Sequence, residues 1–123
     1  MSDQSDLPRQ RLADPEDAKL VTLARSTRAR TRAPQGAAVR DLDGRTYAAA
    51  SVALASFEAS ALQVAVAMAV SSGARGLEAA VVLDDEAAGP ADDDVAVVRD
   101  VAGAGRPVHQ VDAKGALAAT VTT

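Results

Sequence analysis

The chain has 123 residues, with 30 Ala and 15 Val but no Cys, no Trp, and one each of His, Tyr and Phe. That length supports one domain with a core of small side chains, and two lone aromatic rings leave no platform for stacking several bases. Thirteen Lys and Arg against seventeen Asp and Glu give a net charge of -4. No chain-wide attraction to nucleic acid or anionic membrane is expected from that balance, and the lack of Cys excludes disulfides, thiolate nucleophiles and cysteine-ligated metal. The first residues lack the basic start and apolar run of a signal peptide, and the longest apolar candidate, 59–70, is too short to span a bilayer. A cytoplasmic protein is the expectation.

Residues 1–13 are polar and aperiodic and read as a flexible N-terminal tail, with the domain running over 14–123. Asp14-Pro15-Glu16-Asp17 combines an N-cap, a proline at the first helical position and acids in the first turn, so a helix is expected from Pro15 to about Arg30. Its inner stripe is Leu20, Leu23, Ala24 and Thr27. Beyond Ala33-Pro34, the runs 36–40 and 45–50 flank Asp43-Gly44 and predict a β-hairpin. Ser56 is the expected cap of a second helix that Gly73 closes. This helix is apolar on nearly every side and is expected to be buried by a sheet or a partner chain. Leu77–Leu83 reads as a buried parallel strand. Asp92-Asp93-Asp94 suits the start of a third helix ending at Gly103, and strands are expected over 107–111 and 116–121. The order helix, hairpin, helix, strand, helix, hairpin describes a single three-layer α/β domain.

Two stretches carry a resemblance to a known family. Gly36-Ala37-Ala38-Val39-Arg40-Asp41-Leu42-Asp43-Gly44, continued by Arg45-Thr46-Tyr47, is similar to the first hairpin of the small cytidine deaminases, GAALLTEDG followed by the K-I-Y of its DGKIY continuation. Ser51-Val52-Ala53-Leu54-Ala55-Ser56-Phe57 stands where that family has NVENASY. The resemblance covers about Glu16 to Val121. It implies a three-layer α/β/α cytidine deaminase-like fold with a mixed five-stranded sheet, and assembly as a homodimer or homotetramer.

The family's chemistry does not follow its scaffold. Zinc deaminases activate a water on a His/Cys/Cys or three-Cys zinc site beside a proton-shuttling Glu. In register with the family's C-A-E motif stand Leu62, Gln63 and Val64, and in register with PCxxC stand Ala91, Asp92, Asp93, Asp94 and Val95. The Asn and Glu that hold the nucleoside correspond to Ser51 and Ala53, and the Phe that packs on the base falls near Ala33. One His and no Cys cannot supply three N/S ligands in any register, so neither zinc nor another cofactor is expected. The resulting expectation is a non-catalytic member acting as a binding or assembly scaffold for a protein or RNA partner. The alternatives are a cytidine or nucleoside deaminase by family assignment, or a nucleoside-like small-molecule binding protein. Residues of a degenerate pocket would be Ser51, Ser56, Leu62, Val64, Asp92 and Val95.

Arg25, Arg28, Arg30 and Arg32 place four guanidinium groups within eight residues, a patch for phosphate, RNA or a partner, or else a solvated helix end. His109 could act as a base with Asp112 or the 92–94 acids, but a lone His on a strand is more often structural. The acidic runs 84–86 and 92–94 lack the spacing of a calcium loop and read as solvated charges.

Overall fold

A computed structural model of the chain describes residues 11–86 and 88–123. Most of the expected tail therefore lies outside the described residues. The elements are α1 (Pro15–Thr31), β1 (Gly36–Asp41), β2 (Thr46–Ala50), β3 (Val52–Leu54), β4 (Phe57–Ala59), α2 (Ala61–Ser71), β5 (Leu77–Leu83), α3 (Asp92–Ala102), β6 (Pro107–Val111) and β7 (Leu117–Thr122). Five strands form one mixed sheet in the order β2-β1-β5-β6-β7, in which only β5 and β6 run parallel. β3 and β4 form a separate two-stranded hairpin.

Strand alternation divides the core into two layers. On one face Ala37, Val39, Ala80, Val82 and Val108 pack against Leu62, Ala65, Val66 and Ala69 of α2 and Val98 of α3. On the other face Ala38, Ala79, Val81, Leu83 and Val111 pack against Leu20, Val21 and Ala24 of α1. The domain is thus an α/β/α sandwich with α1 alone on one side. The small residues allow close approach, most tightly at Gly36. A Cβ there would collide with the Ala24 carbonyl oxygen and sit 2.9 Å from Arg28 Cβ, so α1 lies directly on the start of β1.

The start of α1 follows its sequence signals. Asp14 accepts hydrogen bonds from the amides of Glu16 at 2.8 Å and Asp17 at 3.4 Å. The Asp-Gly hairpin also forms. Asp41 Oδ1 accepts from the Asp43 and Arg45 amides, each at 2.9 Å, and its Oδ2 accepts from the Tyr47 hydroxyl at 2.9 Å. Burial opposes the charge of Asp41, but the Tyr47 hydroxyl and the two amides outweigh it and hold the carboxyl below its ordinary range.

One expectation for the middle of the chain needs correction. Ser56 does not cap α2: it lies in the exposed turn of the β3–β4 hairpin, and Glu58 belongs to β4. The cap is Ser60, whose Oγ accepts from the Gln63 amide at 3.1 Å while Gln63 Oε1 accepts from the Ser60 amide at 2.9 Å. This reciprocal box satisfies two amides at once, and it starts the helix four residues later. The sheet alone does not cover α2 all round. Ala61, Leu62, Ala65, Val66 and Ala69 face the sheet, but Met68 and Val70 are 41% and 52% exposed. No helix among the described residues is long and apolar enough to cross a membrane.

Candidate functional site

The starts of α2 and α3 meet. Ser60 Oγ donates to Asp94 Oδ1 at 2.6 Å, joining the cap of one helix to the first turn of the other. Asp94 is 4% exposed, and burial, only partly offset by the Ser60 hydrogen bond, holds its carboxyl above the ordinary carboxylate value. Beside this junction opens a cavity of about 850 Å³, lined by Gln35, Ser51, Ser60, Gln63 and the carboxylates Glu58, Asp84, Asp85 and Glu86, among others. Gln35 ties its wall together. Its amide donates to Ser51 Oγ at 3.2 Å, its Nε2 to Asp84 Oδ2 at 2.9 Å, and its Oε1 accepts from the Ala61 amide at 3.2 Å.

Of the six pocket residues expected from sequence, only Ser51 lines this cavity, with Ala53 beside it. Leu62 is fully buried in the core, and Val64 packs against the same cluster. Val95 is 5% exposed inside the α3 layer. Asp92 and Ser56 are exposed and outside the cavity wall. The acid that reaches the α2 start is Asp94, two residues beyond Asp92, because it is Asp94 that the turn of α3 carries inward. The spacing Ser60-x-x-Gln63 was the sequence signal for the cavity's edge. Gln35 carried none.

The donor set at this junction does not suit zinc. Leu62 and Val95 offer hydrocarbon, Ser60 and Gln63 are engaged in capping, and the one buried carboxylate bonds a hydroxyl. Among the described residues no group of three His, Asp or Glu side chains converges as a metal site.

His109 lies on the other side of the sheet, away from Asp92, Asp93 and Asp94. Its Nε2 is 3.0 Å from Asp17 Oδ2 and its Nδ1 2.8 Å from Thr120 Oγ1. An ionised Asp17 only accepts, so Nε2 carries a proton and donates to it. Asp17 Oδ1 accepts from Arg40 Nη2 at 2.9 Å, and Arg40 Nε donates to Glu78 Oε2 at 2.8 Å. A bulge in β5 opposite Arg40 and Asp41 lets Glu78 reach that arginine. Burial opposes the charge of Arg40, but Glu78 and Asp17 outweigh it and raise its affinity for the proton. Asp112 instead organises its own turn by accepting from the Lys114 and Ala116 amides.

The arginines divide. Arg25, Arg28 and Arg32 line a second cavity of about 640 Å³ between α1, the end of β5 and the β6–β7 turn. Arg30 is exposed and does not line it. Arg28 also borders the first cavity, where its Nη2 pairs with Asp85 Oδ2 at 3.0 Å. The Ala113 amide and Arg28 together hold the Asp85 carboxyl below its ordinary value.

Comparison with known proteins agrees with this architecture. The structure of cytidine deaminase from Burkholderia pseudomallei superposes with a TM-score of 0.73 at 18% identity, covering 85% of this chain and 90% of that one. Cytidine deaminase from Mycobacterium leprae gives 0.69 at 21% identity, covering 89% and 94%. At such identities the likeness shows the fold. No curated protein matches the sequence. A family model described as cytidine deaminase-like matches residues 13–115, most of the chain, so the chain belongs to the cytidine deaminase-like family.

Proposed function

We propose that this chain is a non-catalytic member of the cytidine deaminase-like family that acts by binding, as a scaffold for a partner, in place of hydrolysis. The observation that carries the reading is the junction of α2 and α3. There Ser60 Oγ bonds directly to Asp94 Oδ1, and Leu62 and Val95 present buried hydrocarbon at the positions in register with zinc ligands. Val64, in register with the proton-shuttling glutamate, packs against the core and has no proton to move. The competing reading, a cytidine deaminase, is supported by the family match and by the names of the similar structures. Metal analysis of the purified chain with a cytidine-to-uridine assay separates the two. The expected result is less than one zinc per ten chains and no turnover above buffer; stoichiometric zinc with turnover would overturn the proposal.

The cavity beside the junction favours a second reading, a small polar ligand held without chemistry. At about 850 Å³, with polar groups from five segments, it has the size of a small-molecule site. A concentration-dependent rise in Tm with cytidine or uridine, lost in Ser51→Ala, would select it. Self-association belongs to the same proposal. Ala67, Met68, Val70 and Ser71 form an exposed outer face of α2 without a single charge. Light scattering should then report a species larger than the 12.5 kDa chain.

A further inference from the structure

We infer that the groove lined by Arg25, Arg28 and Arg32 is a binding site for a compact phosphate anion, such as the phosphate or diphosphate end of a small molecule. The helix spacing builds it. Arg25 and Arg28 stand one turn apart on α1, about 60° from each other around it, and Arg32, the left-handed C-cap at φ +57°, follows the helix end, so three guanidinium groups line one groove. Arg30 is turned about 140° from Arg25 on the same count. The groove is concave, with about 640 Å³ of space bounded also by Ser26, Leu83 and Ala113.

Its three arginines differ in how they are held. Arg28 is pinned, Nε donating to the Ala33 carbonyl oxygen at 3.4 Å and Nη2 to Asp85 at 3.0 Å, and it forms a fixed edge. Arg25 and Arg32 make no salt bridge with any described residue, so their forks remain to take an anion bidentately. Gly115 brings the β6–β7 turn against this wall. With φ at +83°, a Cβ there would lie 3.1 Å from Val21 Cγ1 and 3.7 Å from Arg25 Nη1. The helix end exposes carbonyl oxygens rather than amides, so the guanidinium groups must supply the binding.

The surroundings set the size of the ligand. Past Arg28 the surface turns acidic, with Asp84, Asp85 and Glu86 on the wall of the neighbouring cavity. An extended polyanion running along the groove would meet those carboxylates, and the chain's net charge of -4 adds no long-range attraction. A phosphate that ends at the groove avoids them. None of these residues belongs to the α2–α3 junction, so the inference stands apart from the non-catalytic reading and survives if deaminase activity is found.

The test is calorimetric titration of the full chain with inorganic phosphate, pyrophosphate and an eight-nucleotide RNA, at constant ionic strength set by chloride. Saturable binding of one pyrophosphate per chain is expected. It should weaken at least tenfold in the Arg25→Ala/Arg32→Ala double variant and in Arg25→Gln/Arg32→Gln, with melting curves unchanged because both side chains are exposed. Arg30→Ala, which removes one positive charge from the same helix where each double variant removes two, should stay within twofold. Absence of saturable phosphate binding, an equal loss in Arg30→Ala, or RNA binding tighter than pyrophosphate would each overturn the proposal, the last by making the groove part of a polymer track.

Discussion

Two buried carboxylates on opposite faces of the sheet have nearly the same exposure, 7% for Asp17 and 4% for Asp94, and each stands in the first turn of a helix, but their partners differ. Asp17 sits under α1 and accepts from a guanidinium and an imidazole, each held by a further group. Asp94 sits where α2 and α3 meet and accepts from one hydroxyl. On the α1 face the buried carboxylate is thus paired with a guanidinium. On the α2–α3 face it meets only a hydroxyl, beside a cavity open to solvent. A buried ion needs partners on most of its lone pairs to be tolerated, and only one of the two has them.

Removing Asp17 should have the largest effect. Asp17→Ala leaves Arg40, whose Nη1 is already buried without a hydrogen-bond partner among the described residues, facing Glu78 alone among them, and it strips His109 of its acceptor. Breaking such a network by deleting one member costs about 3–5 kcal/mol. Urea unfolding at pH 7 should show that loss, and a change under about 1 kcal/mol would mean that the network is screened like a surface pair.

On the α2–α3 face the corresponding probe is Leu62, at the start of α2. Leu62→Ala removes a fully buried side chain from the cluster with Val66, Ala80 and Val98, and should cost about 2–5 kcal/mol. Because this position carries packing, the same substitution in a chain with residual deaminase activity would lower stability and turnover together. On the proposed non-catalytic reading only stability falls, and denaturant unfolding alongside the deamination assay reads both.

The contrast between these faces was half legible in the sequence. The Asp-Gly turn, the Asp14 cap and the valine-rich run at 77–83 each rest on local chemistry within a few residues, and each element formed where that chemistry put it. The cavity was not legible in the same way. Gln35 lies 49 positions from Asp84 and 26 from Ala61, and no local pattern marks a residue whose role is to span three segments. Asp17 read as a first-turn acid suited to the helix dipole, and it does stand there. Its greater role depends on Arg40 and on His109, 92 positions away, which only the sheet order brings beneath it. Ser56 lost the cap to Ser60 because Gln63 completes a reciprocal pair, and a serine alone cannot outbid two hydrogen bonds.

The smallest expected effect tests the other carboxylate, and it has the opposite sign. Burial raises the Asp94 pKa above the model-compound value of 3.8, with the neighbouring Asp93 adding to the shift and the Ser60 hydroxyl opposing it. A carboxyl whose folded pKa lies above its unfolded one stabilises the fold in its protonated form. That contribution is present below the unfolded pKa and is lost as pH rises through the folded one. Asp94→Asn keeps an oxygen for Ser60 and removes the ionisation, so it should be more stable than the parent at pH 7, with the difference shrinking as pH falls toward 4. The amides at the starts of α2 and α3 act the other way, since two helix dipoles favour an anion between them. Thermal melts of both proteins from pH 4 to 8 decide which wins. If Asp94→Asn is instead the less stable at pH 7 and the gap closes in acid, the helix starts hold the carboxylate in its charged form, and the junction is an anion clasp where the desolvation argument makes it a neutral hinge pin.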